Sequence, residues 1–275
     1  MKFGFVFPGG DARTAADYAR EAESVGWDGF FVWEPVWGVD AWISLAAAAM
    51  QTSRIRLGTM ISPIARMRPW KLASETATLD NLSAGRVILA AGLGAVDTGF
   101  QAFGEVTDRR TRAELLDEGL EIINGLWRGQ PYNFHGKHYQ IRETDFALPP
   151  PPVQKPRIPI WVVGAWFKPK SMRRVLKYDG LLASIFDEKV KQVRMSRPSP
   201  EEIAQMREWI QTNRSLTTPF DIVVEGQLPG ADSAKAAQIV SPYAASGATW
   251  WMESLWDAKG PDEVLRRVRQ GPPRI

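Results

Sequence analysis

Arg86-Val87-Ile88-Leu89-Ala90-Ala91-Gly92-Leu93-Gly94 is the stretch from which the fold can be read. It is a short run, almost wholly apolar, closed by two glycines. A strand with one face in water alternates apolar and polar residues; an unbroken apolar run belongs to a strand covered on both faces, as in a parallel sheet sandwiched by helices. Seven other segments read the same way: 3–7, 29–33, 55–61, 158–163, 180–185, 220–224 and 248–252. Helical patterns lie between them. Ala15, Tyr18, Ala22 and Val25 share one face and stop at Gly26; Leu116, Leu120, Ile123 and Trp127 repeat at helical spacing within 107–128. Asp11, Asp40, Ser199 and Asp232 stand where helix entrances need a side-chain acceptor.

Eight strand–helix units in 275 residues give about 34 residues per unit, the size of an eight-fold (β/α)8 TIM barrel. A doubly wound open sheet shows the same alternation. The count of eight favours the barrel, and the lack of a Gly-x-Gly-x-x-Gly opening the first helix weakens the open dinucleotide-binding sheet. We expect a single domain over 1–275. From the fourth strand to the fifth the rhythm breaks for about 72 residues. Part of this is an insertion at about 129–157, where Tyr132 to Ile141 alternates around His135-Gly136-Lys137 as a hairpin does, before a run of four prolines. On a barrel this insertion should lie at the carboxyl face. A Lys- and Arg-rich loop over 187–198 is a candidate lid.

Composition excludes several chemistries. There is no cysteine and there are two histidines, so thiol nucleophiles, disulfides and thiolate metal sites are out. His135 and His138 read as hairpin surface, and we expect no metal site. The absence of cysteine suits a reducing cytoplasm. The net charge of +3 comes from mixed charges with no basic stripe for nucleic acid. No run is long enough to span a membrane, and the amino terminus reads as a strand rather than a signal peptide. The 12 tryptophans call for an explanation.

On a barrel the carboxyl strand ends converge on one pocket. Glu34, Glu225 and Glu253 could supply a glycosidase pair, with Trp33, Trp37 and Trp166 stacking on sugars. The glycines closing the fourth strand argue against it. Gly92, Gly94 and Gly164 instead allow a flat or phosphorylated group near the backbone, and Ser171, with Lys168 and Lys170, could open a helix that holds a phosphate. Gly164 could equally be a simple turn.

These residues carry a resemblance. Thr59-Met60-Ile61-Ser62-Pro63, Arg68-Pro69, Leu79-Asp80-Asn81-Leu82-Ser83-Ala84-Gly85-Arg86 and Gly92-Leu93-Gly94 resemble the bacterial luciferase-like flavin-dependent oxidoreductase superfamily. Phe103-Gly104, Arg112, Leu116-Asp117-Glu118-Gly119-Leu120, Phe134-His135-Gly136 and the 158–164 strand extend it; the likeness is strong to about residue 185 and weak beyond.

The resemblance implies a barrel binding FMN, or the deazaflavin coenzyme F420, at the carboxyl face. Met60, Ile61 and Ser62 would support the ring, with a cis peptide at Met60–Ile61. Gly92, Leu93, Gly94, Gly164, Ala165 and Ser171 would contact the ribityl chain and phosphate. A bound cofactor that brings the chemistry explains a rim poor in histidine and cysteine. Trp33, Trp37 and Trp166 would wall a dry substrate pocket, and Arg66 would hold an anionic substrate or start a helix. Where sugar-phosphate dehydrogenases of this superfamily place a His and a Glu, this chain has Pro35 and Ala95, which argues against a sugar phosphate. Glu34 is the acid–base candidate; the rival reading is a carboxylate paired with Arg66 or Arg68. Glu253 is as open to a structural reading as to a catalytic one. The implied function is an FMN monooxygenase acting on a small organic substrate with a separate flavin reductase. The alternatives are an F420-dependent dehydrogenase or reductase, and a non-catalytic flavin binder. The superfamily also implies a homodimer.

Overall fold

The computed structural model describes residues 1–129, 131–144, 150–187, 189, 192–193 and 196–274. Its eight barrel strands are β1 (Lys2–Phe7), β2 (Gly29–Val32), β3 (Arg56–Thr59), β4 (Val87–Gly92), β5 (Ile160–Trp166), β6 (Gly180–Asp187), β7 (Asp221–Gly226) and β8 (Trp250–Ser254). All pair in parallel, and β8 returns to β1, so the sheet closes into a TIM barrel. Eight helices surround it: α1 (Ala12–Val25), α2 (Ala41–Gln51), α3 (Pro69–Leu82), α4 (Arg109–Arg128), α5 (Pro169–Val175), α6 (Pro200–Asn213), α7 (Ser233–Ser246) and α8 (Pro261–Gln270). The four expected caps are in place: Asp11, Asp40, Ser199 and Asp232 each accept a first-turn amide, and Ser199 forms a full capping box with Glu202.

Strand alternation divides the apolar residues into two cores. Residues facing outward, such as Phe5, Phe30, Leu89 and Val162, pack against the helices. Those facing inward, Val6, Phe31, Met60, Ile88, Ala90, Trp161, Leu182, Val223, Trp250 and Met252, fill the barrel. Phe31 stacks on Trp161 at 5.6 Å, and Trp250 meets Trp161 edge-on at 5.2 Å. Two of the tryptophans are therefore the plug of the barrel. The plug needs an absent side chain beside it: a Cβ on Gly180 would lie 2.2 Å from Trp161 Cδ1. Because Trp161 is fully buried and cannot retreat, Gly180→Ala should cost about 1–3 kcal/mol by overpacking. Urea unfolding of the variant against the wild type measures it.

The motif around Gly85-Arg86 is a structural clamp. The Arg86 guanidinium donates to Ala49 O, Thr52 O and Ile55 O at 3.0–3.1 Å and to Thr52 Oγ1 at 2.8 Å, tying the end of α2 to β4. Asp80, fully buried, accepts from the backbone and side chain of Gln154 at 3.1 and 2.7 Å, which ties α3 to the segment entering β5.

The insertion contains the expected hairpin, Tyr132–His135 paired antiparallel with Gln140–Thr144. Its place differs from expectation. Glu118, midway along α4, accepts the backbone amides of Lys137, His138 and Tyr139, and Glu114 accepts from Lys137 Nζ and His138 Nε2 at 2.7 and 2.9 Å. The turn is thus pinned to the side of the barrel, against α4, rather than over the carboxyl face. Of the lid expected over 187–198, residues 188, 190–191 and 194–195 lie outside the described residues; Gln192–Val193 pairs back onto the end of β6. Pro149 of the proline run also lies outside them.

Candidate active site

The inward positions at the carboxyl ends of the strands line the barrel mouth. They are Trp33 after β2, Met60 after β3, Gly92 on β4, Ala165 on β5, Ser184 and Phe186 on β6, Glu225 on β7 and Ser254 on β8. β3 stops at Thr59. The chain then turns through a cis Met60–Ile61 peptide and re-pairs at Ser62–Pro63 with Ala91–Gly92. This places Ser62, fully buried, beside the second strand. Ser62 Oγ donates to Glu34 Oε2 at 2.8 Å and lies 2.7 Å from Thr59 Oγ1.

Glu34 is an unusual carboxyl. Burial pushes it up to about 7, against the Ser62 hydrogen bond and the Arg66 charge that favour its ionised form. Arg66 does not pair with the carboxylate. Its Nη2 donates to the backbone carbonyls of Glu34 and Pro35 at 3.2 and 2.7 Å, and its buried Nε has no acceptor. Arg68 stacks on Trp70 instead. The ion-paired reading of Glu34 therefore does not hold in this structure.

At the end of the neighbouring β4, Arg112 donates from Nη1 to Leu93 O and Gly94 O at 2.9 and 3.0 Å, and its buried Nε also lacks an acceptor. Arg109 and Lys168 stand over the ring of Phe186 at 4.6 and 3.9 Å. The β3-to-β6 side of the mouth is therefore cationic, and two of its buried guanidinium N–H groups are unmatched.

Several expected site residues are turned away by alternation. We expected the fifth strand to end at Val163, leaving Gly164-Ala165-Trp166 as a loop in the pocket. The ladder with β6 runs on to Trp166, so Gly164 and Trp166 face outward and Ala165 inward. A Cβ on Gly164 would meet Leu181, Val175 and Met172, so the glycine makes room for α5. Trp166 packs with Trp209 of α6 and with Phe167. Ser171 lies within α5, whose cap is Lys168, and its hydroxyl accepts the Ala165 amide at 3.0 Å. Trp37 is 83% exposed and walls nothing. Gly92 and Gly94 are close to Ile61 and to Phe100 and Pro63 respectively, so side chains of the fold already occupy the space they leave.

Glu253 faces outward, fully buried. It accepts from Arg267 Nε at 2.9 Å, Leu228 N at 3.0 Å and Trp251 Nε1 at 3.2 Å, which makes it a bolt between β8 and α8. The sequence offers Glu225 as half of a glycosidase pair, not as a carboxylate held by neutral donors at the mouth. Counting by twos from Val223 would have placed it inward. Its Oε1 accepts from Ser254 Oγ at 2.8 Å and from Trp256 Nε1, and Trp256 meets Trp33 edge-on at 6.3 Å.

Comparison with known proteins agrees with this architecture. Over 139 residues the chain is 32% identical to the F420-dependent glucose-6-phosphate dehydrogenase of Amycolatopsis mediterranei, covering 47% of this chain and 42% of that one. Over 122 residues it is 33% identical to the oxygenase component of the flavin-dependent trigonelline monooxygenase of Acinetobacter baylyi, covering 44% and 32%. The chain thus spans less than half the length of either relative. The coenzyme F420-dependent tetrahydromethanopterin reductase of Methanopyrus kandleri has the same fold, with a TM-score of 0.75 at 18% identity over 98% of both chains. The sequence model of the luciferase-like monooxygenase family matches residues 1–247, and the chain belongs to that family.

Proposed function

We propose that the protein is a flavin-dependent oxidoreductase, its cofactor seated on the carboxyl face with the ring by Met60, Ile61 and Ser62 and the flanks of the site formed by Gly92, Leu93, Gly94 and Ala165. The observation that carries the reading is the pairing of an unmatched cationic side with a single carboxyl poised near neutrality. Arg66 and Arg112 each leave a buried Nε–H without an acceptor, which suits a phosphorylated, oxygen-rich cofactor. Among the described residues no group of three His, Asp or Glu side chains could hold a metal.

When bound, a flavin supplies hydride transfer and, if it is FMN, the reaction of its reduced form with oxygen. The chain's own task is to orient the reactants, exclude water and handle one proton. Ser62 lies 2.8 Å from Oε2 of Glu34, which fixes the carboxyl that would carry this proton. From there Glu34 can give it up or take it back near pH 7. We favour FMN and a monooxygenase served by a separate flavin reductase. The proton-holding Glu34 also suits direct hydride transfer with F420 to or from an alcohol or carbonyl, and we keep that as the second reading.

Separate titrations of the folded protein with FMN and with F420, followed by fluorescence quenching, test this. Tight binding of one selects the branch, and binding of neither overturns the proposal. A bound flavin that is neither reduced nor reoxidised during turnover would leave a non-catalytic binder. We further propose a homodimer through α2 and α3, where Ile43, Met50, Trp70 and Leu82 are large, apolar and exposed. Light scattering should give twice the chain mass, and Met50→Glu should return the monomer.

A further inference from the structure

Among the described strand residues, Glu225 is the charged side chain on the inner face at the carboxyl end of the barrel. It is only partly exposed, and none of the ion pairs among the described residues uses it. Its bonds come from neutral donors, Ser254 Oγ at 2.8 Å and Trp256 Nε1. The nearby Arg197 does not compensate it. Arg197 sits on the outer face, where its Nε donates to Tyr243 Oη at 2.8 Å and its guanidinium stacks on Trp251 at 4.9 Å. A partly buried carboxylate at the barrel mouth, with no counter-ion among the described residues, is ready to accept one from a ligand.

The walls beside it are of one kind. Trp256 and Trp33 meet at 78° with centroids 6.3 Å apart, giving two indole surfaces nearly at right angles. Glu225 grips the N–H edge of Trp256, which fixes that ring, and the residue is 47% exposed. Indole faces are the best aromatic partners for a cation, and alkylated ammonium groups are bound by such corners. On the β3-to-β6 side of the mouth stand the cations Arg66, Arg112 and Arg109.

We propose that the substrate carries a cationic nitrogen, an alkylated ammonium or a pyridinium, seated in the corner of Trp33 and Trp256 against Glu225. Calling this ligand the substrate rests on the flavoenzyme reading; the cation site itself does not.

The test uses the full chain and two probes of nearly equal shape, tetramethylammonium and neutral tert-butanol, titrated by saturation-transfer NMR. The cation should bind at least about tenfold tighter than the alcohol, the size expected of a desolvated cation–π contact reinforced by a carboxylate. Glu225→Gln keeps the Ser254 and Trp256 contacts in place and should erase that preference. Trp256→Leu should weaken the cation about tenfold, while Trp256→Phe retains most of the affinity. Equal binding of the two probes by the wild type, or an undiminished preference in Glu225→Gln, overturns the proposal. Flavin titration of the wild type separates the two readings. A cation preference without flavin binding sinks the flavoenzyme and leaves the site; flavin binding without a cation preference does the reverse.

Discussion

Arg267→Met should destabilise the protein by about 3–5 kcal/mol at pH 7, because it strands a carboxylate in a dry place. Glu253 has no exposed surface, and its shortest contact is with the Arg267 guanidinium at 2.9 Å. Burial raises the Glu253 pKa and the Arg267 charge pulls it back. Removing the charge leaves burial unopposed, so the variant either keeps an unpaired anion or folds with a proton on Glu253. The loss should therefore shrink as the pH falls and protonation becomes easy. Urea unfolding at pH 7 and at pH 5 reads both effects. A loss below about 1 kcal/mol at pH 7 would show that Glu253 and Arg267 are not coupled as drawn. Once destabilisation is allowed for, cofactor binding should survive, since Glu253 faces the helices and not the mouth.

Glu34→Gln should act in opposite directions on stability and on turnover. In the folded protein Glu34 holds its proton up to about pH 7, whereas the unfolded chain releases it near 4.5. Between these values the folded state binds more protons, so wild-type stability falls as the pH rises through that window. Gln at this position has no charge to bury. The variant should match or exceed the wild type above pH 7, by on the order of 2 kcal/mol, and be little changed below pH 4.5. Turnover of whatever the flavin-loaded protein oxidises should drop about a hundredfold or more, the usual worth of a positioned proton carrier. The pH–rate limb near 7 should vanish with it. A variant with full activity and an unchanged limb would remove Glu34 from the mechanism. Ser62→Ala offers a finer control: losing the donor to Oε2 should move that limb to higher pH.

Much of the fold was legible without coordinates. Eight apolar runs reach eight strands, and Asp11, Asp40, Ser199 and Asp232 cap the helices they precede, because burial on both faces and amide capping are written locally. The turn at Met60–Ile61 was read through family resemblance, not through any local propensity. The mouth was read less well. Where β5 ends is set by its ladder with β6, and because the strand runs on to Trp166, Ala165 faces the barrel while Gly164 and Trp166 turn away. Successive side chains of a strand point to opposite faces, whereas a loop imposes no such alternation.

The chain's own residues thus pointed to the barrel through eight buried strands, and the family resemblance pointed to a bound flavin and to Glu34 as the acid–base candidate. Tertiary structure decided which carboxylates are structural and which are available. Glu34, Glu225 and Glu253 look alike in a sequence. Only packing shows that Glu253 is spent on Arg267, that burial lifts Glu34 to about 7 beside Ser62, and that Glu225 faces the mouth with no cationic partner among the described residues. The reason is physical: a carboxyl's role follows from its burial and its neighbours, and these come from strands distant in the chain.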